Sequence, residues 1–339
     1  MNNTEKKYDV FTYGRSSIDL YSNNIGAPFI DIKEFGAFVG GSPLNIAVGL
    51  RRLGLKSALL SAVGNDMVGK FLLNFLTKED VETKFIPIKD GSRTSAVILG
   101  IEPPNNFPLV YYRDNCADSK FNIDDVINAD ISSTRLLEVS ATALNIEPSR
   151  SAAFFAAEQA RENNIPILID LDFRADQWYD ARAFGVTTRA FLNYANLAIG
   201  TEEEILATML KDPTQISIKN QQISAPEITG NIDEAIENIL KTGVEALIVK
   251  RGSKGASYYL QNGKRIDVPG FPVEVINILG AGDAFAAGFI FGFLNNWDWY
   301  KSCRLANACG AILVTKHGCA NFNPTYNEVM QFIESYGGF

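Results

Sequence analysis

Short, continuously apolar runs alternate along this chain with longer stretches whose apolar residues recur every three to four positions. Lys7–Tyr13 (KYDVFTY), closed by Gly14, predicts an opening strand. Leu44–Leu53 has helical spacing, with Gly54 placed for its C-cap. Ser57–Val63 reads as a short strand, and Asp66 as the N-cap of a helix running to about Thr77. The alternation continues with a strand at Leu136–Ser140, an alanine-rich helix at Arg150–Asn163 and a strand at Pro166–Asp172. A short strand at Leu197–Gly200 leads into the acidic helix start Glu202–Glu204. A helix at Ile232–Lys241 ends at Gly243, and Ala246–Lys250 is again a strand. Strands apolar on both faces and joined by helices predict an α/β fold with a largely parallel sheet, helices covering both sides.

Two segments break this rhythm. Tyr21–Val39 is irregular. Thr94–Asp118 reads as a hairpin, SAVILGI and PLVYYRD, turning at Pro103–Asn106. Both are expected outside the main sheet as a small β lid, about 19–39 and 94–118, inserted in one domain spanning 1–339. Lys211–Asn231 is polar and without period, and reads as a surface excursion.

Composition narrows the function. Thirty-one basic against 39 acidic side chains leave a net charge of −8, which disfavours sequence-independent nucleic-acid binding. His317 is the single histidine, so a zinc site with two or more His is excluded and a Ser-His-Asp triad depends on it alone. An enzyme of this composition is expected to use a carboxylate or a lysine for acid–base work. The four cysteines, Cys116, Cys303, Cys309 and Cys319, form no CxxC pair and read as free thiols of a reducing compartment. The opening MNNTEKKYDV lacks a secretory core, and no apolar run reaches the roughly 18 residues of a membrane span, so a cytoplasmic protein is expected.

Four constellations carry candidate chemistry. Gly280-Ala281-Gly282-Asp283 precedes the apolar stretch Ala284–Ile290. Small residues allow a tight turn, and the following helix offers free N–H groups and a positive dipole end to an anion. A carboxylate beside such an anion hole suits phosphoryl transfer, though Asp283 also fits a plain helix N-cap. Gly40-Gly41-Ser42-Pro43-Leu44-Asn45 places two glycines before a helix with Asn45 in its first turn; an ordinary loop-to-helix junction reads the same way. Val249–Ala256 (VKRGSKGA) follows a strand without Walker A or GxGxxG spacing, and is either a ligand loop at the sheet edge or a basic hairpin turn. Arg113, after Tyr111 and Tyr112, and Arg174, after Asp170-Leu171-Asp172-Phe173, are candidate carboxylate or phosphate binders, or surface ion pairs.

Taken in order, GRSSIDLY (Gly14–Tyr21), GGSPLNIAVGLRRLG (Gly40–Gly54), AVGNDMVGKFL (Ala62–Leu72) and GAGDAFAAGFIFG (Gly280–Gly292) make the chain resemble the ribokinase-like (PfkB) carbohydrate kinases along nearly its whole length. Within that family, YYRDNCAD (Tyr111–Asp118), SATALNIEPSR (Ser140–Arg150), DLDFRADQW (Asp170–Trp178) and IGTEEE (Ile199–Glu204) are similar to its sugar-acid kinases. The resemblance implies a three-layer α/β/α sandwich with a β lid, and ATP- and Mg2+-dependent phosphorylation of a sugar acid's terminal hydroxyl. It implies Asp283 as the base and the amides of Gly280, Ala281 and Gly282 as the anion hole. Asp19, Gly41 and Asn45 would hold substrate hydroxyls, and Tyr111, Arg113 and Arg174 would surround the carboxylate. Lys250, Gly252, Gly255 and Asn307 would lie around the nucleotide, and Glu204 would hold Mg2+ through water. Many members carry Asp-Thr before GAGD and build a monovalent-cation site there; Asn277, Ile278 and Leu279 stand here, which leaves that cation open. Thr201 stands where the family's Asn-x-x-Glu motif has Asn. A homodimer through Phe29, Ile30, Phe35 and Phe38 of the lid is compatible with relatives. A 2-keto-3-deoxygluconate kinase or a fructokinase of the same family, a sugar- or nucleotide-binding module without catalysis, and a purely structural α/β protein are the alternatives.

Overall fold

The apolar runs become the strands of one large sheet in the computed structural model, which describes residues 6–103, 106–218 and 226–339. Its eight strands lie in the order Arg265–Val268, Ala256–Leu260, Ala246–Lys250, Leu197–Thr201, Ile167–Asp170, Thr134–Ser140, Tyr8–Tyr13, Ser57–Leu60. The six from Ala246–Lys250 to Ser57–Leu60 are parallel, and the two outermost on the other side join antiparallel. Parallel strands deliver their carboxyl ends to one edge, so Arg15, Ser140, Asp170, Thr201 and Lys250 all arrive there.

Two helical layers complete the sandwich. Ser42–Arg52 and Ala281–Leu294 cover one face through Ile46, Leu50, Ala284, Phe285 and Ala287, packed on Val10, Leu136 and Leu168. Ser149–Glu162 and Ala181–Leu192 cover the other through Ala153, Ala157, Phe184 and Phe191, packed on Phe11, Leu137 and Ile169. The helix Ala281–Leu294 is apolar all round because it is itself covered by Trp299–Val314, whose Trp299 stacks on Phe289. Trp297 and Trp299 therefore pack, as apolar side chains at a helix start do. All four cysteines are free and buried. Among the described residues no helix is long and apolar enough to cross a membrane.

A second, four-stranded sheet has the order Phe35–Gly40, Ser17–Ser22, Ser95–Leu99, Leu109–Tyr112. The last pair is the expected hairpin; residues 104–105 of its turn lie outside the described residues. Tyr21–Val39, read as irregular, instead contributes regular strand at both ends, because Ser17–Ser22 pairs antiparallel with Phe35–Gly40. Ile30 on the connection between them is 91% exposed, and Phe38 packs against Tyr21 and His317. The excursion 211–231 carries a short antiparallel pair, Ile216–Ser217 with Glu227–Ile228; residues 219–225 between them lie outside the described residues.

Candidate active site

A pocket opens where the carboxyl edge of the large sheet meets the small sheet. It is lined by Arg15, Asp19, Tyr21, Asn45, Tyr111, Asp172, Arg174, Gly280 and Asp283, among others. Each arrives there for a local reason. Gly41 precedes the helix Ser42–Arg52 with φ of +105°, and a side chain on it would strike the Arg15 carbonyl. Only glycine lets this turn approach the backbone after the first strand so closely. Asn45 then stands in the first turn of its helix and donates from Nδ2 to Asp283 Oδ2 at 2.6 Å.

Gly280 caps the helix Ala281–Leu294 in the left-handed region, φ +79°, where a side chain would press onto Cys319 Sγ. The Ala281 amide donates to the Ile278 carbonyl at 3.3 Å. The amides of Gly280, Gly282 and Asp283 have no acceptor among the described residues. Asp283 is half-buried, and burial, reinforced by the nearby Asp172 carboxylate, pushes its carboxyl above the ordinary range; Asn45 and Lys250 pull the other way.

The opposite wall is a lattice of ions. Lys250 Nζ lies 3.2 Å from Asp170 Oδ1 and 3.6 Å from Glu204 Oε2. Its ammonium also stands 3.2 Å from where a side chain on Gly282 would project, beside the open amides. Arg174 pairs with Asp172 at 2.6 Å and faces Glu204 at 3.6 Å. Despite burial, Arg174 and Arg15 hold the Asp172 carboxyl below its usual range. Burial pushes Asp170 up to about 7; Lys250 opposes, and Glu204 adds to the rise. Burial likewise lifts Asp19 to about 6 against Arg15 and the 2.7 Å hydrogen bond from Ser17.

Several expected residues are placed differently. Arg113 is absent from the pocket lining. Its Nε and Nη2 hold Asp118 at 2.7 Å each, and Nη1 donates to the Thr142 carbonyl at 3.0 Å. The strand Leu109–Tyr112 ends one residue earlier, so the alternation that would have set Arg113 beside Tyr111 does not reach it. Arg15, not singled out from the sequence, does line the pocket; its signal was its position two residues after the first strand, at the ligand-binding edge. Glu204 closes a capping box with Thr201, accepting from the Thr201 amide at 2.8 Å, so Thr201 acts here as a helix cap. Asn307 donates to the carbonyls of Val268 and Pro269, and Gly252 and Gly255 form the turn of an antiparallel hairpin. These three lie toward the antiparallel side of the sheet, away from this pocket. Asn277 is buried, with Oδ1 accepting from the Leu279 amide at 3.0 Å.

One buried acid beneath the site has no hydrogen-bond partner among the described residues. Glu138 is 0% exposed in the strand Thr134–Ser140, level with Thr12 and Leu168, and neither carboxyl oxygen is hydrogen-bonded. Burial, reinforced by Asp170, Asp283 and Asp172, pushes its pKa well above the ordinary value. A carboxyl whose pKa rises on folding lowers stability as pH climbs through its unfolded value, near about 4.3. Glu138→Met is therefore expected to stabilise the protein at pH 7.5 by about 1–3 kcal/mol, with a smaller gain at pH 4.5. Urea unfolding at the two pH values checks this; an equal or larger gain at pH 4.5 contradicts it.

The pattern of the pfkB family carbohydrate kinases matches residues 7–326. The chain is 32% identical over 331 residues to a Clostridium tetani protein named 5-dehydro-2-deoxygluconokinase, covering 97% of this chain and 94% of that one. A protein of the same name from Geobacillus thermodenitrificans is 30% identical over 331 residues with the same coverage. A fructokinase from Vibrio cholerae, solved with fructose, ADP and a calcium ion, superposes with a TM-score of 0.80 at 26% identity, covering 96% of this chain and 98% of that one. A fructokinase from Xylella fastidiosa with bound ATP shares the fold, with a TM-score of 0.83 at 21% identity, covering 97% and 99%.

Proposed function

The chain belongs to the pfkB family of carbohydrate kinases, and from that premise we propose that it transfers the γ-phosphoryl group of ATP to the 6-hydroxyl of 5-dehydro-2-deoxy-D-gluconate, in the cytoplasm, as a step of inositol catabolism. The observation that carries the chemistry is Asp283, held by Asn45 at 2.6 Å beside the open amides of Gly282 and its own residue. The relatives' names and the two guanidinium groups of the pocket support an acidic substrate.

ATP supplies the phosphoryl group and Mg2+ offsets its charge. The protein's own residues do the rest. Asp283 accepts the proton of the sugar hydroxyl, and its raised pKa makes it a stronger base than an exposed aspartate. The Gly282 and Asp283 amides, the helix dipole and Lys250 receive the negative charge of the transferred group. Asp19 and the first turn after Gly41 hold hydroxyls, and Tyr111 closes the pocket from the small sheet, which acts as a lid that excludes competing water. Gly252, Gly255 and Asn307 shape the loop assigned to the nucleotide. Glu204 stands between Lys250 and Arg174, and no group of three or more His, Cys, Asp or Glu among the described residues is arranged as a metal cage. Glu204 would be the residue that holds a hydrated Mg2+ there, which would offset phosphate charge.

A coupled ADP-release assay on 5-dehydro-2-deoxygluconate, 2-keto-3-deoxygluconate and fructose tests the reading. The first is expected to give the highest kcat/KM, at least tenfold above fructose, the scale of one charge-assisted contact. Preference for fructose makes the protein a fructokinase. Nucleotide binding without turnover on any of the three makes it a binding module.

A further inference from the structure

Three arginines stand within or beside the pocket, and their partners separate them. Arg113 spends its guanidinium on Asp118 and the Thr142 carbonyl. Arg174 is neutralised by Asp172 and Glu204 and also donates to the Phe173 carbonyl at 2.9 Å. Arg15 is 9% exposed, and no carboxylate among the described residues lies within 4.0 Å of it. Among the described residues its one hydrogen bond runs from Nη1 to Ser17 Oγ at 2.6 Å. A guanidinium offers five N–H donors in a planar fork, so most of this one's capacity is unspent. Asp19, Asp172 and Asp118 sustain its charge from beyond contact distance, and none of them occupies the fork.

The surroundings keep that capacity aimed at the pocket. The guanidinium carbon sits 5.1 Å from the centre of the Tyr111 ring, which fixes its plane by cation–π contact. Ser17 stands between Arg15 and Asp19, accepting from the first and donating to Asp19 Oδ1 at 2.7 Å. The serine holds Asp19 out of ion-pairing reach. The aspartate therefore stays free for substrate hydroxyls and the arginine for an anion. We infer that Arg15 is the specificity-determining residue that receives the substrate's carboxylate as a bidentate pair, in place of the sequence-expected Arg113. The inference rests on the sugar-acid reading of the same pocket.

Arg15→Gln and Arg15→Lys separate the two readings when assayed beside the wild type on 5-dehydro-2-deoxygluconate and on fructose. Arg15→Gln is expected to raise KM for the acid roughly 10–100-fold, the worth of a charge-assisted pair. KM for fructose should change less than threefold. Arg15→Lys, which keeps the charge and loses the fork, falls between them. Without turnover, the melting-temperature rise produced by the acid is expected to shrink in Arg15→Gln, while the rise produced by fructose persists. A wild-type enzyme that does not prefer the acid overturns the substrate reading. A wild type that prefers it, with an Arg15→Gln enzyme that keeps the preference or loses affinity for both sugars alike, overturns the role of Arg15 alone.

Discussion

Asp283→Asn is expected to lower kcat by about 10²–10⁴-fold, the range a positioned general base supplies, while KM for the sugar changes little. The substitution is nearly isosteric. Its side-chain oxygen still accepts from Asn45 Nδ2, so the junction between the two helix starts survives. What is lost is a group able to take a proton. The pH dependence gives a second signature. Asp283 must be ionised to act, and burial beside Asp172 raises its pKa, so wild-type activity should fall on acidification at a pH above the ordinary aspartate range. Asp19, with a pKa of about 6, titrates in the same region, but its protonation weakens hydroxyl binding and so enters through KM. In Asp283→Asn the residual kcat should lose its acid limb while the change in KM remains. Steady-state kinetics from pH 5 to 9 read both. A variant with near-normal kcat removes Asp283 from the chemistry.

The same lattice of charges explains what the sequence disclosed and what it hid. Strands such as Ala246–Lys250 were legible because a parallel strand covered on both faces must be apolar throughout. The helix after Gly280 was legible because its small residues and apolar length have few other uses. Ser17–Ser22 and Phe35–Gly40 were not fully legible. Their faces are unequally covered, and glycines interrupt the second, so neither a continuous apolar run nor a clean alternation marks it. The roles of the arginines were hidden for a different reason. Arg113 and Arg15 both follow a strand, and sequence spacing offers each to the pocket. Asp118, five residues beyond Arg113, folds back to pair with it, whereas no carboxylate among the described residues lies within 4.0 Å of Arg15. Glu138 was visible as the one acid in TRLLEVS, but a lone polar residue in a buried strand does not reveal that it lacks a partner.

Lys250→Met is expected to cost both stability and turnover, because this ammonium is shared by Asp170 and Glu204. Asp170 is 1% exposed, and removing a partner from a buried ion pair typically costs about 3–5 kcal/mol. Burial opposes the charged form of Lys250, yet Asp170 and Glu204 hold its pKa above the usual lysine value, so the ammonium is fully charged at neutral pH. The orphaned Asp170 can shed its charge by protonation. Its carboxyl already titrates at about 7 with Lys250 present, and loss of that cation moves it higher. A raised carboxyl pKa destabilises the fold increasingly as pH rises above the unfolded value, so the deficit of Lys250→Met should be smaller at pH 5.5 than at pH 8.5. Denaturant titrations of wild type and variant at those two pH values measure the sign. Turnover should fall by a further argument: the ammonium lies beside the Gly282 amide, where charge gathers on the transferred group, and losing one such preorganised contact costs about 10²–10³-fold in kcat. Lys250→Arg separates the two effects. It restores a cation to Asp170 and recovers much of the stability, while its bulkier fork no longer fits beside Gly282 and leaves kcat low. A variant with equal deficits at both pH values, or with unchanged kcat, removes Lys250 from this double role.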